Sequence, residues 1–88
     1  MTPSIPAPPI NILLVEDHTL LREGLRSLMA NRERFCVVGE AVTAEEGLEL
    51  ARQEKPDIVL LGLLLRDGNS LPRIREFYAL RVPNKKSV

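Results

Sequence analysis

Glu16 and Asp17 are the side chains best placed to do chemistry in this chain of 88 residues. They stand side by side directly after the apolar run Asn11-Ile12-Leu13-Leu14-Val15, and His18 follows them. Two adjacent carboxylates repel each other and call for a cation or a basic partner. A few carboxylate oxygens completed by waters suit Mg²⁺. The same residues also have a plainer use, in which Asp17 or Thr19 caps a helix and Glu16 is solvated. An acidic pair after an apolar run does not by itself decide between the two. His18 allows a phosphohistidine or metal-ligand reading, but a surface histidine in a first helical turn accounts for it better. Cys36, the single cysteine, reads as a small core residue in a strand, and it has no partner for an intrachain disulfide. Asp67 stands before Gly68, where a capping or turning role is expected. Arg66 offers a guanidinium that can pair with the two acids in place of Mg²⁺.

These groups need a scaffold. The most apolar stretch runs from Pro56 to Gly68 and contains Ile58-Val59-Leu60-Leu61. Pro56 blocks helix continuation from upstream, and Asp67-Gly68 marks a turn. An apolar run without alternation reads as a strand buried on both faces of a parallel sheet. It is taken here as the central strand, and Gly62 lies where it ends. Asn11 to Val15 reads as a second such strand, and Phe35 to Ala41 as a third, more mixed and suited to an edge. Leu20, Leu21, Leu25, Leu28 and Met29 recur at the spacing of one helical face, with Gly24 inside the stripe allowing close approach to a sheet. That helix should end near Asn31. Thr43 and Glu46 form a capping box, and Ala44, Gly47, Leu48 and Ala51 make a stripe of small residues in a helix that must stop by Lys55. Asn69 or Ser70 can cap a last helix, with Pro72 in its first turn. Leu71, Ile74, Phe77 and Tyr78 supply its apolar side, and Pro83 ends it. Residues 1–10, with Pro3, Pro6, Pro8 and Pro9, are expected as a disordered proline-rich arm.

The resulting β-α-β-α-β-α order is the mark of a doubly wound α/β unit. Ligand sites in such sheets lie beyond the C-terminal ends of the strands. The loops to read for function are therefore Glu16 to His18, Glu40 to Thr43, and Gly62 to Gly68. Composition narrows the classes further. Twelve basic and twelve acidic side chains cancel, and only 3% of residues are aromatic. Neither a basic nucleic-acid footprint nor a base-stacking platform is present, so direct nucleic-acid binding is not expected. No apolar run reaches the roughly 20 residues that span a bilayer, and no signal-peptide pattern opens the chain. A cytoplasmic protein without membrane contact is the expectation. A nucleotide-binding or enzymatic fragment on this fold class would need a glycine-rich loop after the first strand or a nucleophile with its base. Glu16-Asp17-His18-Thr19 is no such loop, so no enzyme is expected.

Ile12-Leu13-Leu14-Val15-Glu16-Asp17-His18, followed by Leu21-Arg22-Glu23-Gly24-Leu25, resembles the opening of a response-regulator receiver domain. The likeness continues through Val37 to Ala41, Ala44 to Leu48, Lys55 to Leu61, and Asp67-Gly68. It is similar to receivers whose output is a helix-turn-helix DNA-binding domain. The resemblance implies a flavodoxin-like doubly wound sheet, represented by its first three β-α units in a partial receiver domain over residues 11–88. It also implies a phosphorelay role with a sensor histidine kinase as partner. In that family an acidic pair matching Glu16 and Asp17 binds Mg²⁺, and an aspartate ending the third strand accepts the phosphoryl group. The metal then neutralises charge on the transferring oxygens. Here the acceptor position is Gly62, which has no carboxylate, and the family's proline four residues on is Arg66. The chain ends at Ser87-Val88, where a fourth strand would begin. The expectation is a receiver-like module that is not phosphorylated and holds Mg²⁺ weakly if at all. The alternatives are a non-catalytic interaction or decoy module and a decaying gene fragment, since both replacements are one base change away. An exposed strand edge ending at Gly62, and an apolar face of the first helix left partly uncovered, would favour self-association.

Overall fold

The computed structural model describes residues 8–81. The expectations for the first seven residues of the proline-rich arm, for Pro83, and for the C-terminal tail lie outside the described residues. Six main elements follow in the expected order: β1 (Ile10–Val15), α1 (Thr19–Ala30), β2 (Phe35–Ala41), α2 (Ala44–Glu54), β3 (Ile58–Leu61) and α3 (Ile74–Arg81). A single turn of 3-10 helix, Leu71–Arg73, leads into α3. A two-residue antiparallel ladder pairs Leu64–Leu65 with Gly68–Asn69 in the loop after β3. The three main strands form a parallel sheet in the order β2-β1-β3. The α/β, flavodoxin-like expectation of a parallel sheet with crossover helices therefore holds.

The strand roles differ from expectation. The middle strand is β1, whose Ile12, Leu13, Leu14 and Val15 are all buried. Each fully buried aliphatic side chain of this kind contributes about 1.5–3 kcal/mol. β3 lies at the edge, with Ile58 exposed and Val59, Leu60 and Leu61 half-buried. Burial follows the number of neighbours a strand has, and β1 alone has one on each side. β1 also begins at Ile10, so that residue belongs to the sheet and not to the proline-rich arm. The register of β1 on β2 slips between Ile12 and Leu13, leaving Val38 as the extra residue of a bulge.

One face of β1 carries the main core. Leu13 and Val15 cluster with Ala41, Ala44, Leu48, Ala51, Leu65 and Phe77. The small-residue stripe of α2 is what lets that helix lie close. A Cβ on Gly47 would stand 2.8 Å from a Val15 methyl and 3.2 Å from the Phe77 ring. α1 is different, because none of its residues is buried and Leu20, Leu21 and Leu28 are exposed. Nothing lies within 4 Å of a Cβ placed on Gly24, so its expected close approach to the sheet does not occur. Of the apolar side expected for α3, Phe77 alone is buried, while Leu71, Ile74 and Tyr78 are exposed. Cys36 is exposed on the edge strand β2 rather than buried in the core, because the strand assignment did not fix which way its side chain faces.

Local signals set most helix ends. α1 is capped by His18, whose Nδ1 accepts the Leu21 N–H at 3.4 Å, rather than by Asp17 or Thr19. Asp17 is engaged elsewhere, as described below. α1 ends at Asn31 as expected. Thr43 Oγ1 accepts the Glu46 N–H at 3.0 Å, while Glu46 reaches back to the Val42 N–H. α2 ends at Lys55 in the left-handed conformation, φ 48°, and Lys55 donates to the Ala51 carbonyl.

Candidate functional site

β1 and β3 run parallel with Val15 opposite Leu61, so the residues that follow them are brought side by side. The Gly62 N–H donates to the Val15 carbonyl at 2.7 Å, and the Glu16 N–H donates to the Ala41 carbonyl at 2.9 Å. Glu16, Gly62 and the end of β2 thus meet at one end of the sheet. The Arg66 N–H donates to the Val42 carbonyl at 3.0 Å and folds the post-β3 loop onto the β2-α2 loop. All three loops expected to matter converge here.

The Glu16 carboxylate lies against Gly62. A Cβ built on Gly62 would clash with Glu16 Oε1, with Cδ at 3.0 Å and the Val15 carbonyl oxygen at 3.3 Å. Glu16 therefore occupies the space that a side chain at position 62 would fill. Its other oxygen, Oε2, accepts the His18 N–H at 3.0 Å. Asp17 turns to Arg66, with its Oδ1 accepting from Nη2 at 2.9 Å and from Nε at 3.1 Å. Arg66 is largely exposed and Asp17 partly so, and the pair is worth about 1 kcal/mol or less. Among the described residues, no group of three or more His, Cys, Asp or Glu side chains comes together as a metal site.

Mg²⁺ does not fit the residues as they stand. One carboxylate is turned into the position-62 space and bonded to a backbone N–H. The other is held by a guanidinium. The third side, Gly62, has no oxygen-bearing side chain to offer. His18 is spent as a helix cap and does not join the acids as a ligand.

Asp67 has the capping role expected of it, at longer range than a turn. Its carboxylate accepts the Ala44 N–H at 2.9 Å and the Glu45 N–H at 3.2 Å, at the start of α2. The hydrogen bond from Ala44, helped by that from Glu45 and by the charge of Arg73, holds this carboxyl below its ordinary value. Arg73 also pairs with Glu45 of α2 and Glu76 of α3, tying the two helices together.

Three residues support the site in roles that the sequence did not indicate. Ser70 is buried, and its Oγ donates to the Gly62 carbonyl at 2.6 Å. Its sequence signal pointed to a helix cap, but the neighbouring Asn69 supplies that, accepting the Leu71 N–H at 2.8 Å. Arg22 of α1 donates to the Glu16 carbonyl at 2.8 Å and to Glu40 at 3.1 Å. Glu40 also binds Arg26 at 2.9 Å, and this bond raises the Arg26 pKa. Glu40 opens one of the loops expected to matter, but its pairing with two arginines four residues apart on α1 is a long-range contact that the sequence did not indicate.

Residues 12–80 match the response regulator receiver domain family. Among curated proteins, the chain is 43% identical over 63 residues to the nitrate/nitrite response regulator protein NarL of Escherichia coli K12, covering 72% of this chain and 29% of NarL. It is 46% identical over 67 residues to the response regulator GacA of Pseudomonas aeruginosa, covering 76% of this chain and 31% of GacA. The chain thus spans under a third of the length of these relatives. A LuxR-family two-component response regulator from Aurantimonas sp. SI85-9A1 superposes with a TM-score of 0.72 at 38% identity, over 78% of this chain and 49% of that one. The receiver domain of the putative response regulator NarL from Mycobacterium tuberculosis shares the fold, with a TM-score of 0.74 at 23% identity over 91% of this chain and 72% of that one. The sheet order, the acidic pair after β1 and the match over most of the chain converge on one conclusion: this protein belongs to the response regulator receiver domain family.

Proposed function

We propose that the chain serves as a receiver-type module of a two-component phosphorelay that takes up no phosphoryl group at residue 62. The observation that carries this reading is the Glu16 carboxylate filling the space beside Gly62 at the C-terminal end of β3. A phosphoryl acceptor needs a nucleophilic oxygen and a cation to neutralise the transferring group. Gly62 supplies no such oxygen, and both acids nearby are already engaged. The module is a signalling part and not an enzyme. Its kinase-facing partner, by family resemblance, is a sensor histidine kinase in the cytoplasm. It binds without being switched by phosphate, and any Mg²⁺ bound at Glu16 and Asp17 is held weakly.

The test is incubation of the protein with a small phosphodonor such as acetyl phosphate and Mg²⁺, followed by intact mass and peptide mapping. No stable phosphoryl adduct is expected. A stoichiometric adduct on the Gly62–Gly68 loop or on the acidic pair would overturn the reading.

A second reading, an interaction module that pairs with other chains, is favoured by one specific feature. Among the described residues, β3 has a neighbour on one side only. Beside it an open groove of about 490 Å³ is lined by Ile58, Val59, Leu61, Ile74, Phe77 and Tyr78 together with Asp57. Unpaired edges and apolar grooves of this kind promote association. Sedimentation velocity over a concentration series checks it, and a monomer at all concentrations removes this reading.

A further inference from the structure

One part of the mismatch between this site and a divalent cation comes from a cationic side chain of its own. Asp17 is the acid left facing outward, since Glu16 is turned toward Gly62. Arg66 comes from the far side of the post-β3 loop and places two nitrogens on one Asp17 oxygen. Its backbone is fixed there by the bond to the Val42 carbonyl, and the following Asp67 is pinned on the N-terminus of α2. The guanidinium is thus delivered by an anchored segment rather than by a free loop.

We infer that Arg66 is a tethered replacement for the divalent cation: its guanidinium neutralises Asp17 and keeps metal ions out of the acidic pair. This rests on the reading of the site as a receiver's acidic end, but it fails or stands separately from phosphate uptake. A bound metal would meet two obstacles. It must break the Asp17–Arg66 pair, and it must sit close to a like charge whose backbone is anchored beside the site at the Val42 carbonyl. An exposed pair accounts for a few-fold of lost affinity. Repulsion between a guanidinium and a divalent ion a few ångströms apart adds a further few-fold after screening. Together they set the expected effect at about tenfold.

The experiment is a Mn²⁺ titration of the full chain, followed by paramagnetic broadening of backbone amide signals. Arg66→Ala should raise Mn²⁺ affinity about tenfold, with broadening centred on Glu16, Asp17 and the Gly62–Gly68 loop. Arg66→Glu should raise it further. Arg66→Lys should stay within about twofold of wild type, because it keeps the charge. Arg52→Ala, which removes the same charge from a pair with Glu49 on the exposed face of α2, should also stay within about twofold. Equal affinities for Arg66→Ala and Arg52→Ala would overturn the inference. A second measurement needs no variant: millimolar Mg²⁺ should leave the wild-type Arg66 Nε–H signal unshifted, and its displacement by Mg²⁺ would overturn the inference even if the variants failed to fold.

Discussion

Ser70 offers a sharp test of how the site is held. It is buried, 1% exposed, and its hydroxyl donates to the Gly62 carbonyl at 2.6 Å. Its own N–H donates to the Leu63 carbonyl and its carbonyl accepts the Arg73 N–H, each at 2.8 Å. Ser70→Ala removes the hydroxyl and leaves both backbone bonds in place. Stripping one partner from a buried hydrogen bond costs about 1–3 kcal/mol. Gly62 is half-buried, so water reaches part of the freed carbonyl and only the low end of that range, about 1–1.5 kcal/mol, applies. For a domain of this size such a loss lowers the melting temperature by about 4–12 °C, and a urea midpoint by about 0.5–1.5 M at a slope of about 1–2 kcal/mol/M. Urea unfolding followed by far-ultraviolet circular dichroism measures it, with amide hydrogen exchange to localise the change. The exchange should quicken between Gly62 and Arg73 and stay unchanged at Ile12 to Val15. A midpoint within about 0.2 M of wild type at equal slope would refute the claim that this bond fastens the loop to the end of β3.

Three further perturbations follow from the same geometry. Gly47→Ala drives a methyl against Val15 and Phe77 in the core; a loss of about 1–3 kcal/mol in urea unfolding is expected from overpacking. Lys55→Gly relieves a left-handed backbone at the end of α2 and should stabilise the chain by about 0.5–1 kcal/mol in the same assay. The Asp67 carboxyl is held below its ordinary value chiefly by the Ala44 N–H. Its contribution to stability is therefore fully present above the unfolded-state value of about 4, and is lost as pH falls through the lower folded-state value. Stability measured from neutral pH downward should fall less steeply below about pH 4 in Asp67→Asn than in wild type, and parallel curves would refute the capping role.

Much of the fold could be read from local pattern. The bounds of β2, the end of α1 at Asn31 and the stop at Lys55 rest on apolar period and on proline or polar punctuation. The meeting of Glu16, Asp17 and the Gly62 loop followed from the rule that parallel strands gather their sites at one end. Strand rank was not readable. Ile58 to Leu61 is as apolar as β1, yet β1 takes the centre, since a strand's burial depends on how many partners flank it and not on its composition. Ser70 reads locally as a helix cap, while its actual partner lies 8 residues back, across a small hairpin that no periodicity announces. Cys36 was assigned to the right strand but the wrong side, an error open to any short strand without clean alternation.

The placement of β1 between β2 and β3 also has a consequence for the order of events in folding. β1 leaves the start of the chain first but cannot be covered on both sides until β3 arrives; Asn11 and Asp57, which exchange bonds at the foot of that pair, are 46 residues apart. Loop-closure entropy grows only by about 0.6 kcal/mol per doubling of length, so the distant partner is delayed more by the time needed to find its place than by its thermodynamic cost. A chain emerging from the ribosome would hold β1 paired with β2 alone while the segment to Leu61 is still being made. The unpaired backbone edge of β1 that later receives β3 is the surface a chaperone, or a second nascent chain, would meet in that interval.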